Sequence, residues 1–306
     1  MEPKEYLQGL LASQDLSERQ EKDLQAHKKE VTDFLREEFG VDPVIKYAGS
    51  RVKGTMISDR YDLDIVCYFP SSDDRALKEI REDVTQRLAE KYQLAHKASA
   101  ERIIDLKGAE SPFDYHIDVV PGRFIKDTKD VYLHVAYGDK ERMRTNLKVH
   151  ITHITESGCE PVIRLLKLWS HRNNVPIKTF VLELFVVKAL SGSKNKGNLQ
   201  KSILKVLEEF KDNFSSTQLV DPANTNNIVS QLMNESEKAI VVQSAKLAYD
   251  LLAESDDIEK WQTVFVDKEA KLSSSNSASG SSAVGYAVGS SFRPNKPWSG
   301  SYDNRV

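Results

Sequence analysis

The 306-residue chain sets 43 lysines and arginines against 46 aspartates and glutamates, a formal net charge of −3. That balance excludes the bulk positive field that drives non-specific binding to long nucleic acid. The only two cysteines, Cys67 and Cys159, exclude a disulfide framework or a cysteine-rich zinc site and point to a reducing cytoplasm. No apolar run approaches the roughly 20 residues of a spanning helix, so no membrane segment is expected.

Leu24, Val31, Phe34, Leu35 and Phe39 recur at a helical period among charges and predict one long amphipathic helix over 17–39, closed by Gly40. Pro43 opens an extended piece, Val44 to Ala48, which delivers the chain to Gly49, and an apolar strand from about 61 to 69 ends at Pro70. Residues 73–95 predict a second amphipathic helix, followed by strands at Arg102 to Leu106 and Tyr115 to Val120. After Pro161 the segments 161–172, 179–191, 200–210, 225–234 and 237–266 all favour helix. The chain therefore divides into a mixed α and β part over 1–158, a helical part over 159–271 and a Ser/Gly-rich tail over 272–306. The tail is too poor in apolar surface to offset the entropy of ordering. Phe292 and Trp298, at the ends of its Phe-Arg-Pro-Asn-Lys-Pro-Trp run, mark either a segment that docks on the body or a partner, or a free end with incidental aromatics.

The chemistry concentrates in residues 47–69. Asp62 and Asp64, one residue apart on a strand, share a face while Leu63 and Ile65 take the other. Two such carboxylates need a cation, and hard oxygen donors suit Mg²⁺ or Mn²⁺. Asp118 sits in a second apolar run, on the face it shares with His116. If that run lies beside the first, Asp118 completes a three-carboxylate site for two metal ions, one activating an attacking hydroxyl and the other stabilising pyrophosphate. Ahead of the pair, Gly49 permits close approach of backbone, and Ser50 offers a hydroxyl and amides to phosphate oxygens. Lys53, with Gly54 and Thr55, extends this loop and reads either as a phosphate or acceptor contact or as a solvated lysine. Lys167 lies off the core stripe Val162, Leu165, Leu166, Trp169 and reads either as a β,γ-phosphate contact or as a solvated helix lysine. Thr179 reads as a phosphate ligand or a helix N-cap, and Phe180 as a base-stacking platform or a hydrophobic anchor.

Together, Gly49-Ser50, Asp62-x-Asp64 and Asp118 resemble the nucleotidyltransferase superfamily of DNA polymerase beta. Lys53-Gly54-Thr55, Arg164 to Trp169, Lys178 to Glu183, and Asp221-Pro222 with Asn224 and Asn227 resemble its oligoadenylate synthetase and cyclic GMP-AMP synthase branch. Within that branch the compact length, the His116 to Arg123 strand and the tail are most similar to the bacterial antiphage enzymes called CD-NTases, of the CBASS systems. The resemblance covers roughly residues 30–235. It implies an α+β fold, a polymerase-beta-like lobe with a mixed or antiparallel sheet plus a C-terminal helical lobe, and an active site in the cleft. It further implies two Mg²⁺ ions on Asp62, Asp64 and Asp118, with donor ATP or another NTP held by Ser50, Lys167 and Thr179. Phe180 falls where the family commonly stacks an aromatic, usually Tyr, on the donor base. The expected product is a cyclic di- or trinucleotide second messenger, made without long DNA and under a regulatory partner that the tail could engage. Two other readings stand beside it: terminal nucleotide transfer onto RNA or tRNA, for which the run Lys140, Arg142, Arg144 and Lys148 offers positive charge, and a catalytically silent scaffold of the same fold.

Overall fold

The computed structural model describes residues 1–107, 115–137, 140–194, 196–253 and 257–266. The expected tail therefore lies outside the described residues. Among the described residues the chain falls into two compact units, one of residues 14–160 and 219–229, the other of 1–13, 161–218 and 230–266.

The helix α1 (Pro3–Ser13) belongs to the second unit; α2 (Glu18–Phe39) opens the first. Ser17 caps α2 in a reciprocal box with Gln20, and Gly40, at φ +70, closes it as its spacing predicts. There follow β1 (Val44–Tyr47), the one-turn helix α3 (Gly49–Val52), β2 (Asp62–Phe69), α4 (Leu77–Lys91), β3 (Tyr92–His96), β4 (Glu101–Leu106) and β5 (His116–Phe124). The strands β6 (Val131–His134) and β7 (Arg142–Thr145) and the helix α5 (Leu147–Thr155) complete the contiguous part. The strands form one seven-stranded mixed sheet in the order β1-β2-β5-β4-β3, with β6 joining β5 and β7 joining β6.

Alternation along β2 and β5 decides what each face does. Leu63, Ile65, Cys67 and Phe69, with Ile117 and Val119, are buried against Leu24, Val31 and Leu35 of α2 and Ile80, Val84 and Leu88 of α4. Each such side chain removed from water contributes about 1.5–3 kcal/mol, so the register of the two strands is strongly held. Val66 and Tyr68 on the opposite face pack with Val131 and Leu133. Pro121, which lacks an N–H, is tolerated in a central strand because β4 pairs β5 through Val119 and β6 takes over from Arg123.

In the other unit, α6 (Glu160–Arg172), α7 (Thr179–Ala189), α8 (Leu199–Asn213), α9 (Glu235–Leu252) and α10 (Ile258–Val264) are helices. Phe185 and Phe210 stack at 4.3 Å between ring centroids, with Phe214 edge-on to both. Three expected helices differ in extent. Residues 225–234 instead form most of β9 (Asn224–Ile228), paired with β8 (Val220–Asp221), and a short 3-10 turn, Val229–Leu232. The Asn224 side chain accepts from the Asn226 N–H, and such local bonds compete with a helix ladder. The segment 237–266 is α9 and α10 rather than one helix, and the run 73–95 ends its helix at Lys91 and continues as β3.

Candidate active site

β2 and β5 run parallel, and their register sets Asp64 directly opposite Asp118 and Asp62 opposite His116. The three expected carboxylates thus share one face of two adjacent strands. The Ala48 N–H donates to the Asp64 carbonyl at 2.9 Å, which brings the Gly-Ser turn alongside β2. Gly49, at φ +67, lies so close that an added Cβ would overlap Asp64 Oδ2 and stand 2.6 Å from Asp64 Cγ. Only a residue without a side chain fits there. Ser50 follows in the first turn of α3, and its carbonyl accepts from the Thr55 N–H at 3.0 Å. Lys53 ends α3, and its positive field reaches Asp64.

The electrostatics are those of crowded carboxylates. Burial, then the negative fields of Asp118 and Asp62, push Asp64 up to about 7, against the opposing fields of Lys53 and Arg102. Burial would also raise Asp62, but the His116 hydrogen bond and the charges of Arg102, His116 and Arg60 outweigh it and hold the carboxyl below its ordinary value. His116 Nδ1 stands 3.1 Å from Asp62 Oδ1.

Arg102, a plain strand residue by its sequence pattern, enters from β4 opposite Asp118. Its Nε donates to Asp118 Oδ1 at 2.6 Å and its terminal nitrogen to Oδ2 at 2.7 Å, with Asp62 Oδ2 at 3.9 Å. Its neighbour Glu101 accepts from Arg81 Nε of α4 at 2.8 Å, which anchors the start of β4. The available sequence signal was the alternation of β4, which could be matched to Asp118 only once its partner strand was known.

The donor chemistry fits a divalent cation: three hard carboxylates share a face, and Asp64 is raised by burial first and then by the other two. The side chains are not gathered as a ligand set, however. Among the described residues no group of three or more His, Cys, Asp or Glu is arranged to hold a metal ion. Asp118 is turned onto Arg102 and Asp62 onto His116.

Lys167, Thr179 and Phe180 lie in the other unit. Lys167 is buried in α6 and its Nζ donates to the fully buried Glu183 of α7 at 2.7 Å, so it is not a solvated helix lysine. Thr179 is exposed and is the first residue of α7, with Lys178, not Thr179, in the capping position. Phe180 is partly exposed. Asp221, in the first unit, lies 2.6 Å from His150 Nε2 and accepts from Asn227 Nδ2 at 3.0 Å. The Asp-Pro and asparagine piece thereby ties β8 and β9 to α5.

Residues 28–133 match the model of the nucleotidyltransferase domain. The first unit therefore carries that domain, and over 87–88% of its length the chain has the fold of solved CD-NTases. CdnC of E. coli MS115-1, solved with ATP, superposes with a TM-score of 0.68 at 17% identity, over 87% of this chain and 98% of that one. CdnG of Bradyrhizobium diazoefficiens, in complex with GTP, gives 0.70 at 11% identity over 88% and 97%. The Vibrio cholerae cyclic AMP-GMP synthase DncV gives 0.59 at 17% identity over 86% and 84%. No curated protein sequence matches the chain.

Proposed function

We propose that this chain is a nucleotidyltransferase that joins nucleoside triphosphates into a cyclic di- or trinucleotide signal. The observation that carries the reading is the seat of Gly49 against Asp64 in a register that sets Asp64 opposite Asp118, a Gly-Ser turn beside paired carboxylates. A ribose hydroxyl attacks the α-phosphorus of a bound triphosphate, the new P–O bond forms, and the bond to pyrophosphate breaks. Asp118 takes the hydroxyl proton and orients its oxygen. Ser50 and the α3 amides hold phosphate oxygens, and Lys53 adds positive charge beside them. Lys167 neutralises the departing phosphates from a position fixed by Glu183, Thr179 offers its exposed hydroxyl to phosphate, and Phe180 stacks on the donor base. Two Mg²⁺ ions, or Mn²⁺, held by Asp62, Asp64 and Asp118 would polarise the phosphate and lower the pKa of the attacking hydroxyl.

CdnC of E. coli MS115-1 has been solved in complex with a HORMA protein. A regulatory protein partner is proposed here too, with the tail as the contact, in a cytoplasmic antiphage role. Terminal transfer to RNA has less support, because three of the four cations of its basic run are engaged locally. Lys140 donates to the Asn226 carbonyl at 3.3 Å, Arg142 lies 4.8 Å over the Tyr132 ring, and Arg144 pairs with Asp130 at 3.1 Å. The test is incubation of the full chain with labelled NTPs and Mg²⁺, beside Asp64→Asn. Phosphatase-resistant product of cyclic mass from wild type alone is expected. Linear products only, or equal activity of the variant, would refute cyclisation or the site respectively.

A further inference from the structure

Arg102 is 4% exposed, sits among the carboxylates and cannot shed its charge. Its fork engages both oxygens of Asp118, and its field also reaches Asp62 and Asp64. A planar guanidinium paired in this way is a strong, directional counter-ion. Its two hydrogen bonds also occupy lone pairs that a cation on Asp118 would use. Resting on the reading of this face as a divalent-cation site, we propose that Arg102 is the metal's placeholder: it holds Asp118 in the metal-free chain and must release it as the cation binds.

Two consequences of opposite sign follow. In the metal-free chain Arg102 offsets repulsion among Asp62, Asp64 and Asp118, so its loss destabilises the fold. Toward the cation it is both a like charge and a competitor, so its loss tightens binding. A purely structural arginine would lower stability with and without metal and leave affinity unchanged. An arginine that aims Asp118 at the metal would weaken affinity when removed.

The experiment titrates Mn²⁺ alone into the full chain, following the resonance of free aqueous Mn²⁺, with thermal unfolding in its absence and presence. Arg102→Gln should bind Mn²⁺ about tenfold more tightly or better. It should also melt several degrees lower without metal and gain more from Mn²⁺ than wild type does. Arg102→Lys, which keeps the charge and loses the fork, should fall between the two. Affinity of Arg102→Gln equal to or weaker than wild type overturns the proposal. If that variant does not fold without metal, Arg102→Lys decides by the same criterion. Asp64→Asn separates the layers. Binding by wild type that Asp64→Asn abolishes keeps the cation site whatever Arg102 does, whereas no Mn²⁺ binding by wild type overturns both.

Discussion

Gly49→Ala should injure the site far more than the fold. At φ +67 a side chain costs about 1–2 kcal/mol of backbone strain in any surroundings. The added Cβ would also stand 2.6 Å from Asp64 Cγ, where relaxed carbon contacts need about 3.5–4.0 Å, so the carboxylate must move by roughly 1 Å. A shift of that size in a catalytic group costs about 100-fold in rate. Gly40→Ala is the matched control: its φ is +70, it caps α2, and nothing lies within 4 Å of its added Cβ. Urea unfolding should show losses of about 1–3 kcal/mol for each of Gly49→Ala and Gly40→Ala, whose φ +70 and ψ −150 strain any side chain. Pyrophosphate release from NTPs should fall about 100-fold only for Gly49→Ala. Activity of Gly49→Ala within a few-fold of wild type, with Gly40→Ala equally affected, would refute the argument that Asp64 is seated against this glycine.

Asp64 is raised from 3.8 to about 7, so between those values the folded chain holds a proton that the unfolded chain has lost. Its ionisation therefore erodes metal-free stability as pH rises through that window, by at most about 4 kcal/mol. Asp64→Asn should flatten the decline in urea stability between pH 4 and 7; an unchanged slope would count against the shift. By the same logic Mn²⁺ affinity should climb with pH until about 7 and then level, with proton release measurable by calorimetry in buffers of different ionisation enthalpy. Glu183→Ala strands buried Lys167 and should cost about 3–5 kcal/mol. The double variant Lys167→Met, Glu183→Leu should recover part of that loss, and additive single losses would refute the pair.

The local part of the site was legible because its signals are short in sequence. A glycine that tolerates positive φ, followed by a serine, and two aspartates two residues apart on an apolar strand need no partner to be read. Asp118 was legible only as a condition, since the pairing of β2 with β5 joins residues 54 positions apart. Arg102 required a third strand and so escaped. The small elements were lost for a different reason: β6 and β7 are only four residues each, β7 sets Arg142 and Arg144 around a single apolar Met143, and β9 is rich in asparagine. Lys167 reads as either a solvent or a phosphate contact in the sequence because a sequence does not show that Glu183, sixteen residues on, meets it inside the helical unit.

The parallel register of β2 and β5 also bears on how such a site withstands mutation. Inserting or deleting one residue in either strand would turn Ile117 and Val119, or Leu63 and Ile65, out of the core and turn an aspartate into it. Slippage is therefore removed by failure to fold before chemistry is ever tested. Any descendant chain that still folds with these strands inherits Asp64 facing Asp118 without selection acting on that distance. Drift is left free to act on what surrounds the pair, the groups that choose among bases, hydroxyls and ring sizes.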